Sequence, residues 1–195
     1  MSTFHKRVLT PRNLPGVTLA VARSLPTLAR AARDPAVSGQ LREQVMLAVT
    51  SVNDCRYCSW AHTGMALAEG VDLEALQKLL DSNSDQAPDD RTARAILFAQ
   101  HFADTERQPD PAARQQLEEA FSERERDEIL AYIHAIYLAN LSGNTVDALL
   151  ARVRGQEVDG SYLPIELAAA VIAGAPLYAI RRASRRPGQP ELEAL

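Results

Sequence analysis

The two cysteines of the chain, Cys55 and Cys58, lie three residues apart, and His62 follows four residues later. In an α-helix these spacings place all three side chains on one face. Asn53 or Asp54 is suited to cap such a helix, which predicts that Cys55 lies in the first turn. There the free backbone N–H groups and the helix dipole favour a thiolate over a thiol. Cysteines at this spacing can also form a disulfide without large backbone motion. The segment therefore offers a nucleophile, a second thiol and a base.

Glu43 belongs to the preceding predicted helix, whose other residues are mostly apolar. A carboxylate in such a segment is either exposed at the start of the helix or buried for a purpose. Burial raises the pKa of a carboxyl group and suits it to proton transfer near neutral pH. The apolar residues around it are Leu41, Val45, Met46, Leu47, Ala48, Val49 and Val52.

The chain has no cysteine besides this pair, a pattern typical of a cytosolic redox or metal pair. One alternative is a zinc site made by the pair, His62 and a fourth ligand from His101, His134 or Glu43. Three ligands on one short helix close poorly around a tetrahedral ion, which counts against it. Another alternative is an oligomeric redox sensor in which the pair forms a disulfide without catalytic turnover. Otherwise His101 and His134 are expected to be ordinary, partly exposed histidines.

Composition indicates one soluble globular domain of 195 residues with 46% hydrophobic and 24% charged residues. Few aromatic residues favour helices over strands. We expect a core over about residues 36–155 with additional N- and C-terminal helices. The net charge of −4 and the dispersed basic residues argue against nucleic acid as a partner. Arg181, Arg182, Arg185 and Arg186 are expected to form a solvated helix end.

The N-terminus lacks the apolar segment of a secretory signal, so a cytoplasmic location is expected. Residues 163–180 form the most hydrophobic window, but they include two prolines and Glu166 and are short for a bilayer. We therefore predict a buried core or interface helix there and no membrane span.

Turn and capping signals divide the chain into helices without any alternating strand pattern, which predicts an all-α helical bundle with no sheet. Ser122 and Glu125 form a capping box, and Ser142-Gly143-Asn144 is expected to break the helix that follows. Residues 81–90 are expected to be a linker, and the tail after Pro187 to be frayed. The remaining helices are expected before Asp34, up to about 53, from the cysteines to 70, over 72–80 and about 90–104, from 111, up to 154 and from about 164.

Glu43, eleven intervening residues and then Cys-x-x-Cys-x-x-x-His resemble the active-site signature of the AhpD-like alkyl hydroperoxidases. These belong to the wider carboxymuconolactone decarboxylase superfamily. The resemblance is specific over residues 41–70 and looser over 129–150, where residues 132–140 are similar to the second long helix of that family.

The resemblance implies an AhpD-like all-α fold that assembles into homotrimers or hexamers and needs no cofactor. It implies that Cys55 and Cys58 reduce alkyl or hydrogen peroxides, with His62 and Glu43 as the proton relay. It also implies an external reductant of the lipoamide or thioredoxin type. Tyr57 stands where some members carry a second histidine, which implies a shorter relay. The decarboxylase branch lacks the cysteine pair, so its lyase chemistry is not expected.

Two arguments disagree on which cysteine attacks the peroxide. His62 is the i+4 neighbour of Cys58, which favours Cys58 as the peroxidatic residue and Cys55 as the resolving one. The helix-terminus argument favours Cys55 as the stronger thiolate. From the sequence we expect Cys58 to attack.

Overall fold

The fold is an α-helical bundle, seen in a computed structural model that describes residues 4–81 and 90–184. Within these residues the only strand-like feature is an isolated bridge between Phe4 and Val158, so the prediction of an all-α fold is confirmed. The predicted linker lies mostly outside the described residues, as do Arg185, Arg186 and the tail after Pro187. The helices are α1 (Leu14–Ala31), α2 (Gly39–Asn53), α3 (Arg56–Ala68), α4 (Leu73–Leu80), α5 (Arg91–Asp104), α6 (Pro111–Ala120), α7 (Glu123–Val153) and α8 (Leu163–Ser184).

Most helix starts are fixed by local capping. A side-chain oxygen that accepts a backbone N–H satisfies a donor left free in the first turn. At α7 the Glu125 carboxylate accepts the backbone N–H of Ser122 at 2.9 Å, as the capping-box prediction requires. The other side-chain caps of this kind are Ser38, Asp72, Asp90 and Asp110.

The predicted break at residues 142–144 is wrong, because α7 continues through it. The small and polar residues there make hydrogen bonds and packing contacts from within a continuous helix. The hydroxyl of Ser142 donates to the Leu138 carbonyl one turn earlier. Asn144 donates its side-chain amide to the Asn53 carbonyl at the end of α2. Gly143 gives α7 a surface without a side chain, which the neighbouring α3 segment uses.

Helix α2 lies at the centre of the bundle and packs against α3, α5 and α7, while α1 and α8 pack on α7. Apolar side chains of α2, α5 and α7 make up most of the buried core. Burial of these side chains is the main stabilising contribution to such a fold. The arrangement holds the α2–α3 junction against the middle of α7, and the candidate site lies there.

Helix α8 packs one face on α7 and leaves the opposite face exposed. Val171 and Ile172 are 84% and 80% exposed. The core-helix alternative is therefore wrong, and the interface-helix alternative stays a prediction. The hydrophobicity of a sequence window reflects its composition and does not show which surface the helix packs against. Among the described helices, Leu163–Ala183 is long and apolar enough to cross a membrane by length and composition, which by itself is weak evidence.

Candidate active site

The first component of the site is the sharp junction between α2 and α3. Asp54 has φ +53° and ends α2 in the left-handed conformation, with its N–H bonded to the Thr50 carbonyl. Lys6 donates to the Asp54 carbonyl at 2.7 Å and pairs with its carboxylate at 2.9 Å. Asp54 is thus committed to ending α2, and Cys55 itself is the N-cap of α3. The expectation that Asn53 or Asp54 caps α3, with Cys55 in the first turn, is corrected by one position.

The two sulfurs lie side by side as free thiols. A hydrogen bond joins Cys55 Sγ to Cys58 Sγ over 2.8 Å, and the backbone N–H of Cys58 donates to Cys55 Sγ at 3.4 Å. The hydrogen bond with the Cys58 side chain lowers the pKa of Cys55, although burial opposes this effect. The same bond and burial raise the pKa of Cys58. Of the two sulfurs, Cys55 is therefore the one that loses its proton more readily, with Cys58 as its hydrogen-bonding neighbour.

The second component is a carboxylate–histidine pair. Glu43 is 1% exposed; its Oε2 lies 2.7 Å from His62 Nδ1, and its Oε1 accepts from Arg42 Nε at 2.7 Å. Burial raises the pKa of Glu43, but the hydrogen bonds from His62 and Arg42 together outweigh burial, so its pKa is lowered. The expected rise of this pKa is therefore wrong, because the sequence did not show the two donors. Glu43 is an ionised group that orients His62.

The orientation of His62 decides which ring nitrogen can exchange protons. Its Nδ1 is hydrogen-bonded to Glu43, so Nε2 is the nitrogen available for proton exchange. In the described part of the chain His62 makes no direct hydrogen bond to either sulfur, so proton exchange between them would pass through water. A carboxylate that holds one imidazole nitrogen also fixes the tautomer at the other.

Helix α7 supplies the third component, which sequence reasoning missed. A Cβ built on Gly143 would lie 2.8 Å from Cys55 Sγ, closer than real contacts allow. The sulfur therefore packs directly against the α7 backbone. Four residues later on the same face, Asp147 accepts hydrogen bonds from Tyr57 Oη at 2.8 Å and from Arg56 at 2.5 Å. The i, i+4 spacing of Gly143 and Asp147 is the only sequence signal for this contact.

Tyr57 is held in place and does not replace a histidine as a proton carrier. Burial and the nearby Asp147 carboxylate raise the pKa of Tyr57 to about 12. Its hydroxyl therefore stays protonated near neutral pH and donates to Asp147. The shorter relay implied by the resemblance stays a prediction.

A cavity of about 400 Å³ lies between α2, α3 and α4, and Cys55 forms part of its wall. Its lining combines polar side chains, including Ser59 and Thr63, with leucines. Such a mixed lining suits a small molecule with an apolar part and a polar end. The leucines are Leu47, Leu73, Leu76 and Leu80.

The other candidate histidines lie in separate surroundings. His101 pairs with Asp110 at 3.0 Å, and His134 bonds Ser24 Oγ at 3.1 Å. Neither completes a ligand set with the cysteines, as the zinc alternative would require. Within residues 4–81 and 90–184 no group of three or more His, Cys, Asp or Glu side chains is placed to hold a metal ion.

Comparison with known proteins gives one match. Residues 20–101 match the model of the carboxymuconolactone decarboxylase family, which includes the AhpD-like proteins. No curated protein and no solved structure matches the chain. The matched residues include Glu43, Cys55, Cys58 and His62 but not α7. Over residues 20–101 the chain is therefore similar to the carboxymuconolactone decarboxylase family.

Proposed function

We propose that the protein is a thiol-dependent peroxidase that reduces alkyl or hydrogen peroxides through Cys55 and Cys58, with His62 and Glu43 as the proton relay. The observation that carries the proposal is the pair of free sulfurs 2.8 Å apart, one of them a helix N-cap that lines a cavity. This arrangement is what a thiolate nucleophile with an adjacent resolving thiol requires.

In the first step the Cys55 thiolate attacks one peroxide oxygen. The S–O bond forms and the O–O bond breaks, which oxidises the sulfur to a sulfenic acid. His62 takes the proton of the Cys55 thiol through water before the attack and returns it to the departing oxygen, which leaves as alcohol or water. Cys55 replaces Cys58, the attacking residue expected from the sequence, because Cys55 has the lowered pKa and lines the cavity.

In the second step the Cys58 thiol attacks the oxidised Cys55 sulfur. The S–S bond forms, the S–O bond breaks, and the hydroxyl leaves as water with the proton of Cys58. An external dithiol of the lipoamide or thioredoxin type then supplies two electrons and two protons to restore both thiols. Throughout, Glu43 keeps His62 oriented through the 2.7 Å contact to its Nδ1. The proposed setting is the cytoplasm, where such reductants maintain thiols.

A redox sensor is the second candidate function, and the burial of the sulfurs favours it. Cys55 is 1% and Cys58 8% exposed, which would slow both peroxide entry and re-reduction. A sensor would be oxidised once per protein and would not consume further peroxide. Steady-state peroxide consumption with dihydrolipoamide, or with thioredoxin and its reductase, separates the two functions. Turnover over many cycles supports the peroxidase, and a single stoichiometric oxidation supports the sensor.

The attacking cysteine is identified by trapping the sulfenic acid with dimedone in Cys55→Ser and Cys58→Ser, with mass spectrometry as the readout. We expect the adduct in Cys58→Ser, which retains Cys55, and loss of turnover in both variants. An adduct confined to Cys55→Ser would reverse the assignment.

The role of His62 is tested by His62→Gln, which is expected to slow turnover by about 100-fold, within the range for general acid–base groups. His101 is a histidine paired with Asp110, and His101→Gln is the matched control that should keep wild-type turnover.

A further inference from the structure

A second cavity, of about 330 Å³, lies between α5, α6 and α7 and includes none of the residues of the proposed peroxidase site. Its wall is partly aromatic, and the rings of Phe102 and His134 are 5.7 Å apart. A cavity of this size with an apolar wall suits a small organic molecule. The apolar lining residues are Phe98, Phe102, Leu117 and Leu130.

Three arginines line the same cavity: Arg107, Arg114 and Arg126. In the described part of the chain none of them has a carboxylate partner within ion-pair distance, and each donates to backbone carbonyl groups. Glu118 and Asp127 also line the cavity, so the arginines outnumber the acids. Guanidinium groups with unused donors bind carboxylates strongly. The carbonyl acceptors are those of Gly16, Pro109, Glu118 and Phe121.

Local backbone conformation places Arg107 at this cavity. Glu106 and Arg107 have φ values of +50° and +75°, a left-handed conformation that non-glycine residues rarely adopt, least of all in succession. Arg107 donates to the Gly16 carbonyl at 2.9 Å. A Cβ built on Gly16 would lie 3.1 Å from Arg107 Nη1, so the missing side chain makes room for the guanidinium. Strained turns of this kind concentrate at functional sites.

His134 does not contribute to the positive charge of the cavity, which comes from the arginines. Burial and the nearby charge of Arg107 lower the pKa of His134, so its ring is neutral near pH 7. Its Nδ1 lies 3.1 Å from Ser24 Oγ, which fixes the ring against α1. His134 therefore serves as a spectroscopic reporter of whatever occupies the cavity.

We propose that this cavity binds a carboxylate with an apolar tail, of the class of short fatty acids. The carboxylate would pair with the arginines, and the tail would lie against Phe98 and Phe102. All three arginines lie beyond residues 20–101, the part matched by the family model. The proposal is independent of the peroxidase function, so Cys55→Ser with Cys58→Ser should bind the same ligand with unchanged affinity.

The probe is octanoate, with acetate and 1-octanol as the tail-free and charge-free comparisons. Binding is measured by calorimetry on the full chain and by the NMR shifts of the His134 ring. We expect saturable octanoate binding that weakens about ten-fold or more in Arg107→Gln and Arg114→Gln, the loss expected for a charge-assisted hydrogen bond. Arg154→Gln, at the far end of α7, is the matched control and should leave the affinity unchanged.

The proposal would be overturned by no saturable octanoate binding to the wild type, by equal affinity for octanoate and 1-octanol, or by binding that persists in both arginine variants. Arg114 is exposed, so Arg114→Gln is expected to fold even if Arg107→Gln does not. Thermal unfolding of each variant verifies this. A wild-type octanoate complex that leaves the His134 signals unmoved would place the ligand elsewhere and also contradict the proposal.

Discussion

Glu43 illustrates how a single carboxylate acquires its role from its neighbours. The sequence left two possibilities for it, an exposed helix start or a buried functional group. In the structure it is buried between Arg42 and His62, with both carboxylate oxygens in hydrogen bonds. Arg42 in turn reaches the Glu69 carboxylate at the end of α3. This link ties the start of α2 to the end of the helix that carries the cysteines.

Glu43→Gln removes the charge and keeps the shape of the side chain. We expect it to destabilise the protein by about 1–3 kcal/mol at pH 7, since it weakens two charge-assisted hydrogen bonds. In the folded state the hydrogen bonds from His62 and Arg42 hold the pKa of Glu43 below its ordinary value of 4.5. Its stabilising contribution is therefore complete above that pH and is lost as the pH falls through the folded-state pKa.

Urea unfolding of wild type and Glu43→Gln between pH 3 and 7 tests this prediction. The difference in unfolding free energy should shrink as the pH falls below about 4.5, the usual carboxyl range. A difference that is constant across this range would mean that Glu43 is not held as an ionised group.

At the scale of elements, α7 is the surface against which the reactive segment is built. It is an unbroken helix of 31 residues, and Gly143, Asn144 and Asp147 lie where the α2–α3 junction contacts it. Gly143 admits Cys55 Sγ, and Asp147 anchors Tyr57 and Arg56. Sequence analysis predicted a break here because Ser, Gly and Asn are typical of turns. The tertiary contacts explain the same residues without a turn.

Gly143→Ala and Gly64→Ala form a matched pair of helix substitutions. A Cβ at residue 143 collides with Cys55 Sγ, whereas a Cβ at residue 64 meets nothing within 4 Å. We expect Gly143→Ala to destabilise the fold by about 1–3 kcal/mol and to lower peroxide turnover. Gly64→Ala should be neutral or stabilising by up to about 1 kcal/mol, since alanine favours the helix.

Thermal unfolding and the peroxidase assay check both glycine variants. If Gly143→Ala kept wild-type stability and turnover, the close approach of Cys55 to α7 would be contradicted. If Gly64→Ala lost as much as Gly143→Ala, the effect would belong to any helical glycine and not to this contact.

At the scale of the whole molecule, the outer face of α8 is an exposed apolar surface without a partner in the described part of the chain. The exposed apolar side chains include Leu163, Leu167, Val171, Ile172 and Tyr178. Between Glu166, which pairs with Arg152 of α7, and Arg181 the helix has no charged residue. Exposed apolar patches of this kind mark interaction surfaces. We propose that a second copy of the chain covers it, in the homo-oligomer that the resemblance implies.

Val171→Glu with Ile172→Glu places two charges in this face. We expect wild type to sediment as a trimer or hexamer and the double variant as a smaller species, because a buried unpaired carboxylate is costly. Leu25→Glu, at an exposed apolar residue of α1, is the control and should not change the mass. A monomeric wild type would contradict the prediction, as would binding of the wild type to phosphatidylcholine vesicles that the double variant loses.

The sequence by itself determined the helical class, most helix starts and the set of candidate reactive side chains, because capping and helical spacing are local properties. It identified Glu43, Cys55, Cys58 and His62 and placed the cysteine pair and His62 on one short segment. It could not determine which charges meet across helices. The tertiary structure alone decided that Arg42 and His62 lower the pKa of Glu43, that Gly143 receives a sulfur, and that α8 is exposed. Each of these depends on contacts between segments distant in sequence, and local patterns do not encode such distances.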